Sequence, residues 1–215
     1  MMSITEDLVS AGILEVVPEP TDNRFQMVNT GSVEVEVGEF LYALVRLIKP
    51  FRILETGTYK GVSAMYMALG LRDNGRGSLE TIEFAEEHFD EASKLWTDVG
   101  VDDLVTLHKQ DIREFKTDKE YDMVFLDSEP GMRFDEVVRF FKHTVPGGFI
   151  LVHDLHHHLS QHPHEKFFGW PYGKIKREMV EWLQDDELRA VSFPTPRGFT
   201  LFYKTKADDY RWNKT

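Results

Sequence analysis

Seven short apolar runs, most of them separated by stretches of helical periodicity, restrict what this chain can become. They lie at Arg52–Glu55, Leu79–Glu83, Leu104–Lys109, Asp122–Asp127, Phe149–Val152, Arg189–Phe193 and Thr200–Lys204. Between them, helical patterns occupy Ser63–Arg72, Ala85–Val99, Phe134–His143 and Lys174–Gln184. A strand, a helix and a second parallel strand form a right-handed crossover, so the alternation implies an α/β fold with a mainly parallel sheet and helices on both faces. The last two runs depart from that rule. Only Pro194-Thr195-Pro196-Arg197-Gly198 joins them, too short for a crossover helix, so they should form an antiparallel hairpin. The expectation is a parallel sheet with one reversed strand near an edge.

Ahead of this pattern, residues 3–14 read as a short helix with Ser3 as N-cap and Glu6 three residues on. Pro18 and Pro20 open a loop that runs to about Gly31. Apolar residues at Val37, Leu41, Leu44, Val45 and Ile48 then make a helical stripe that Pro50 ends. Residues 1–50 are therefore expected to form a helical cover, and residues 51–215 a single compact catalytic unit. With 41% hydrophobic and 29% charged residues the chain is an ordinary globule. Its net charge of −12 argues against a nucleic-acid partner, because binding a phosphate backbone needs clustered Lys and Arg. No apolar run approaches the roughly 18–20 residues that span a bilayer, so no membrane partner is expected. The absence of cysteine excludes disulfides and thiolate metal sites and fits a reducing, cytoplasmic setting.

The first run ends in Glu55-Thr56-Gly57-Thr58-Tyr59-Lys60-Gly61-Val62-Ser63. Gly57 permits a tight strand-to-helix turn, and Gly61 lets the backbone approach a ligand or a packed neighbour. The following helix points its first free N–H groups at whatever occupies the turn. The spacing is not Gly-x-Gly-x-x-Gly, so a dinucleotide fingerprint is a poor match. Ligands in open α/β sheets bind at the carboxyl ends of strands. There stand Glu55, Glu83, Gln110 with Asp111, Asp127, and His153 with Asp154. Acids suit helix N-termini, which would account for one or two of them but not for the series. Glu83 lies at about the 20-residue distance at which an acid grips a ribose diol, and its two oxygens can accept both hydroxyl hydrogens. Asp111 is suited to accept from an exocyclic adenine amine. No phosphate loop of the Gly-x-x-x-x-Gly-Lys-Ser/Thr type is present. An adenosine ligand without phosphates points to S-adenosylmethionine.

On these residues the chain resembles the class I S-adenosylmethionine-dependent methyltransferases, and most nearly the small catechol and caffeoyl-CoA O-methyltransferase type. The similarity runs through Leu-Glu-Thr-Gly-Thr-Tyr-Lys-Gly-Val-Ser, Thr-Ile-Glu, Val-Thr-Leu-His-Lys-Gln-Asp and Tyr-Asp-Met-Val-Phe-Leu-Asp. It implies a Rossmann-like sheet of seven strands with the last antiparallel. It also implies that Glu55, Gly57 and Gly61 organise the methionine end, with Tyr59 and Ser63 lining it. Glu83 would take the ribose, and Gln110 and Asp111 the adenine. The catechol type further implies a divalent metal held by an Asp after the fourth strand and an Asp-Asn pair after the fifth. Asp127 and Asp154 match, and Asp127 would then also border the cofactor. Leu155 stands where Asn is expected, and Pro130 where the family has a Lys base.

Six of the nine histidines fall between Val152 and His164. Imidazole suits Mn, Fe, Co, Ni and Zn better than Mg. A divalent cation held by Asp127, Asp154 and one or two of His153, His156 and His157 is one reading. The other is metal-free, with His153 or His156 as the base and the remaining histidines as bystanders. The aromatic segment Phe167-Phe168-Gly169-Trp170-Pro171-Tyr172-Gly173 could line an acceptor pocket, anchor the loop, or meet a second subunit of a homodimer. The expected activity is methyl transfer to a hydroxyl of a small molecule. A non-catalytic adenosine-binding subunit is the rival from another class.

Overall fold

The structure is a computed structural model that describes residues 3–155 and 176–206. The chain divides into two compact units that part between Lys116 and Thr117. His156, His157 and the aromatic segment at 167–173 lie outside the described residues. Among the described residues no helix is long and apolar enough to cross a membrane.

The first unit begins with α1 (Ile4–Ser10), closed at its start by the expected capping box: the Ser3 hydroxyl accepts from the Glu6 amide and the Glu6 carboxylate accepts from the Ser3 amide. The loop after Pro18 contains a two-residue antiparallel pairing, β1 (Val17–Pro18) with β2 (Gln26–Met27), which no alternation announces. Its turn is held by the Glu19 carboxylate, which accepts from the Thr21 amide at 2.6 Å and the Asp22 amide at 2.7 Å. Then come α2 (Val35–Ile48), β3 (Arg52–Thr56), α3 (Val62–Asn74), β4 (Ser78–Glu83), α4 (Phe89–Asp98) and β5 (Val105–Lys109). β3, β4 and β5 are parallel and in continuous register.

α3 carries no polar stripe because both of its sides are covered: every residue from Val62 to Leu71 is buried. α2 packs on it closely enough that a Cβ added at Gly38 would lie 2.3 Å from the Tyr66 ring, and one at Gly70 2.8 Å from Val45. The Tyr66 hydroxyl meets Thr5 Oγ1 at 2.7 Å, tying α1 to the same layer, and burial pushes the phenol pKa up to about 12. α4 starts later than its periodicity suggests, since residues 86–88 form a 3₁₀ turn.

The second unit contains β6 (Tyr121–Leu126), a 3₁₀ turn at Pro130–Met132, α5 (Arg133–Phe141), β7 (Thr144–His153), α6 (Arg177–Gln184), β8 (Leu188–Phe193) and β9 (Phe199–Lys204). β6 and β7 are parallel, while β9 runs antiparallel to both β7 and β8. The expected hairpin is therefore present, closed by the Gly198 amide donating to Thr195 O at 3.0 Å. β7 begins at Thr144, earlier than its apolar run, because an irregularity in the β6–β7 register accommodates residues around Pro146-Gly147-Gly148. Phe125, Phe134, Phe140 and Phe202 fill the core of this unit. The seven strands of the main sheet run in the order β5-β4-β3-β6-β7-β9-β8.

Candidate active site

In the first unit the turn after β3 needs left-handed backbone at three places: Gly57 (φ 81°), Tyr59 (φ 47°) and Gly61 (φ 79°). Glycine adopts this region at no steric cost, whereas Tyr59 does so against its Cβ. Gly61 is required by a packed neighbour: a Cβ there would sit 2.7 Å from Trp96 Nε1, the same atom that donates to Gly61 O at 2.9 Å. Beneath the turn lies Glu55, buried at the end of β3. Its Oε1 accepts from Ser63 Oγ and its Oε2 from Thr81 Oγ1, both at 2.5 Å. Because the Thr81 proton points to Glu55, the Thr58 hydroxyl donates to Thr81 at 2.6 Å. This chain of hydroxyls spans the strand end, the turn and the first turn of α3. Ser63 is one of its members.

Glu83, at the end of β4, fastens the turn from the other side. Its Oε2 accepts from the Tyr59 amide at 2.8 Å, and its Oε1 from the Phe84 and Ala85 amides at 2.9 and 2.8 Å. The Gln110 amide donates to the Glu83 carbonyl at 2.9 Å, so the ends of β4 and β5 meet there. The Asp111 carboxylate accepts from its neighbour Arg113, at 2.9 Å from Nε, and this pairing draws its pKa down to about 2. The Tyr59 ring stands edge-on to His88 with centroids 4.4 Å apart, and a Cβ at Gly31 would lie 2.6 Å from it. Sequence reasoning missed Trp96, Thr81 and Phe84. Phe84 is 71% exposed immediately after Glu83. A large aromatic left in solvent beside a strand-end acid is the signal that would have singled it out.

The second unit brings Asp127, His153 and Asp154 together, with ligand-type atoms all within 4.8 Å of one another. Asp127 follows β6, and His153 and Asp154 close β7. His153 Nδ1 lies 3.1 Å from Asp127 Oδ1 and 3.5 Å from Asp154 Oδ1. The histidine side chain is 1% exposed, against 13% for Asp127 and 20% for Asp154, so the carboxylates form the open edge. Asp154 is held at φ 60°, a left-handed conformation that costs a non-glycine residue energy and recurs at functional sites. Leu155 is buried and its amide donates to Gly198 O. Pro130 opens the 3₁₀ turn that leads into α5.

The cluster contains a residue that sequence reasoning passed over. Arg133, the first residue of α5, is fully buried. Its Nε donates to His153 O at 3.0 Å and its Nη2 to Asp127 Oδ1 at 2.9 Å, with Asp154 Oδ2 at 3.5 Å and Ser128 Oγ at 3.4 Å from Nη1. Buried Glu136 lies one helical turn on, 3.8 Å from Nη1, and Arg197 Nε stands 3.9 Å from Asp154 Oδ1. A positive charge at a helix N-terminus opposes the helix dipole. An arginine opening α5 was therefore a hint that acids waited for it.

Comparison with known proteins shows what the chain is similar to. Residues 54–155 match a family described as a methyltransferase domain. A Mycobacterium tuberculosis protein named "Probable O-methyltransferase Rv1220c" is 32% identical over 155 residues, 70% of this chain and 65% of that protein. The matched stretch thus spans just under two thirds of such relatives. Among solved structures, the O-methyltransferase TomG from Streptomyces achromogenes, involved in tomaymycin synthesis and in complex with S-adenosylmethionine, superposes with a TM-score of 0.65 at 26% identity, covering 82% of each chain. The O-methyltransferase from Bacillus cereus in complex with S-adenosylhomocysteine shares the fold, with a TM-score of 0.64 at 20% identity over 94% of this chain and 88% of that one.

Proposed function

We propose that the chain is a class I S-adenosylmethionine-dependent O-methyltransferase that moves a methyl group from S-adenosylmethionine to a hydroxyl of a small molecule. The observation that carries the donor half is Glu83. Its carboxylate is fixed by three backbone amides. A carboxylate offers about four acceptor positions, and Oε2, with one amide where Oε1 has two, keeps capacity for one hydroxyl of the ribose diol. The glycine turn, held by Glu55 and Ser63, borders the methionyl end together with Tyr59. Gln110 and Asp111 attend the adenine edge, and the exposed Phe84 ring offers a planar base a stacking face. The helices of residues 1–50 serve as cover.

When bound, S-adenosylmethionine supplies an electrophilic methyl group on a positively charged sulfur. The protein's tasks are to align the acceptor oxygen and to take its proton. Alignment alone can be worth roughly 7–11 kcal/mol. The pair Asp127–His153 takes the proton: Asp127 presents the open carboxylate, and His153 Nδ1 stands behind it at 3.1 Å. A phenol, with a pKa of about 10, asks less of this pair than an alkyl alcohol does, so a phenolic acceptor is the substrate class proposed. The expected role of His156 as an alternative base, and those of His156 and His157 as ligands, fall outside the described residues.

A divalent cation at Asp127, His153 and Asp154 is the finer reading that the family implies. Three suitable donors stand close together, but the donor set does not fit an ion well. Asp127 Oδ1 and Asp154 Oδ2 already face the Arg133 guanidinium, and buried Leu155 offers no ligand atom. No step of the reaction is therefore assigned to a metal. The test is calorimetry with S-adenosylmethionine and with NAD, followed by a screen of phenolic, sugar and polyketide acceptors for release of S-adenosylhomocysteine. Binding of the first ligand alone and turnover with a phenol are expected. Tight NAD binding would overturn the assignment.

A further inference from the structure

We infer that Arg133 is the resident cation of the acceptor site, standing where an O-methyltransferase of the catechol type would hold a divalent ion, and that this chain transfers methyl groups without metal. The inference rests on the methyl-transfer reading and concerns what balances charge at the acceptor.

Arginine stays protonated in proteins, and a fully buried guanidinium is tolerated only where acids and carbonyls meet its five N–H donors. Here most of them are met: Nε by the His153 carbonyl, Nη2 by Asp127 with Asp154 next, and Nη1 by the Ser128 hydroxyl, with the Glu136 carboxylate 3.8 Å away. Two of the three candidate ligand side chains, Asp127 and Asp154, are also acceptors of the guanidinium. Asp127 Oδ1, the oxygen nearest His153 Nδ1, accepts from Nη2 at 2.9 Å. An ion bound to that oxygen would lie within a few ångströms of a fixed positive charge. Arg197 supplies a second guanidinium 3.9 Å from Asp154 Oδ1, so the two carboxylates face two permanent cations before any ion arrives. The left-handed backbone at Asp154 turns its carboxylate between them.

The consequence for the reaction is a division of labour. A metal would hold the acceptor oxygen and favour its anionic form. Arg133 instead acts as a positioning residue: it fixes the Asp127 and Asp154 carboxylates and places positive charge behind the oxygen that must lose its proton. An ammonium could not span the same acceptors, because it lacks the planar fork.

The test is a Mn²⁺ titration of the full chain, stripped with EDTA and desalted, read by the electron paramagnetic resonance of free Mn²⁺. The wild type is expected to leave Mn²⁺ free, and Arg133→Gln to bind a single ion that Asp127→Asn in the same background abolishes. Turnover of the wild type with a phenolic acceptor is expected to be unchanged in excess EDTA. Arg133→Gln without metal should lose roughly 10²–10³ in kcat, as when one electrostatic stabiliser is removed, and Arg133→Lys should recover only part of it. Stoichiometric Mn²⁺ binding by the wild type, or turnover abolished by EDTA and restored by Mn²⁺, overturns the inference. A folded Arg133→Gln protein that still ignores Mn²⁺ overturns it as well. Should Arg133→Gln fail to fold by circular dichroism, the wild-type titration decides alone. Because that titration needs neither donor nor acceptor, it judges Arg133 even if no methyl transfer is found.

Discussion

Two pairs of strand-end acids, one in each unit, have opposite kinds of partner. In the first unit, Glu55 and Glu83 accept from hydroxyls and backbone amides, all of them neutral groups. In the second, Asp127 and Asp154 face guanidiniums. Neutral donors hold a carboxylate in position and leave its charge in place, which suits a site that must attract a cationic sulfonium donor. Guanidiniums cancel the charge, which suits a site where a hydroxyl must become an oxyanion without facing uncompensated carboxylates. On the proposed roles, the same carboxylate group serves binding in one unit and proton management in the other, and what differs is the partner each acid has been given.

The sharpest way to break that comparison is Asp127→Asn. If Asp127 manages a proton, kcat should fall by roughly 10²–10⁴, the usual worth of a positioned acid–base group. Calorimetry should find S-adenosylmethionine affinity within about twofold of wild type, because ribose recognition is assigned to Glu83. A large loss of donor affinity would instead place Asp127 in the cofactor site.

Glu83→Ala is the reciprocal experiment. It strands the Tyr59, Phe84 and Ala85 amides and removes the proposed diol acceptor. Hydrogen bonds to charged groups contribute about 1.5–3 kcal/mol each, so a loss of about 3–4 kcal/mol, several hundredfold in Kd, is expected by calorimetry. An unchanged Kd would mean that the ribose lies elsewhere.

The readable part of the molecule was the local part. The glycine turn, the strand ends and the terminal hairpin depend on residues within a few positions of each other, so Gly57, Glu83 and the short Pro194–Gly198 connection announced themselves. Even there the reason for Gly61 was open between ligand and neighbour, since Trp96 is 35 residues away and only packing brings it in. The acceptor cluster was half legible. Asp127, His153 and Asp154 could be read from strand ends, but their charge balance depends on Arg133 and Arg197. The first arrives through a 3₁₀ turn and the second through a hairpin, and neither leaves a periodic trace. The small pairing of β1 with β2 was invisible for a related reason: two-residue strands are too short to alternate.

Gly61→Ala asks whether the turn is as rigid as the first unit requires. A left-handed alanine costs about 1–2 kcal/mol, and its Cβ would press on Trp96 Nε1 at 2.7 Å. Together these should destabilise the fold by about 2–3 kcal/mol, lowering Tm by roughly 5–10 °C in a chain of this size. Scanning calorimetry would read it. An unshifted Tm would show that the turn relaxes freely, and the preorganisation argued for Glu83 would lose its basis.

Phe84→Ala has the smallest expected effect and separates recognition from architecture within the first unit. At 71% exposed, the ring holds little of the core together, so its removal should leave Tm within about 1–2 °C. Stacking of a base on an aromatic ring is worth about 1–3 kcal/mol, and S-adenosylmethionine affinity should therefore fall by roughly tenfold. The backbone amide of residue 84 survives the substitution, so Glu83 keeps its partner and any loss belongs to the ring. A matched titration with methionine alone, which has no base to stack, should show no difference between variant and wild type. Were methionine binding to weaken equally, the ring would be shaping the turn instead of meeting the adenine, and the first unit's division between acids that position and an aromatic that recognises would fail.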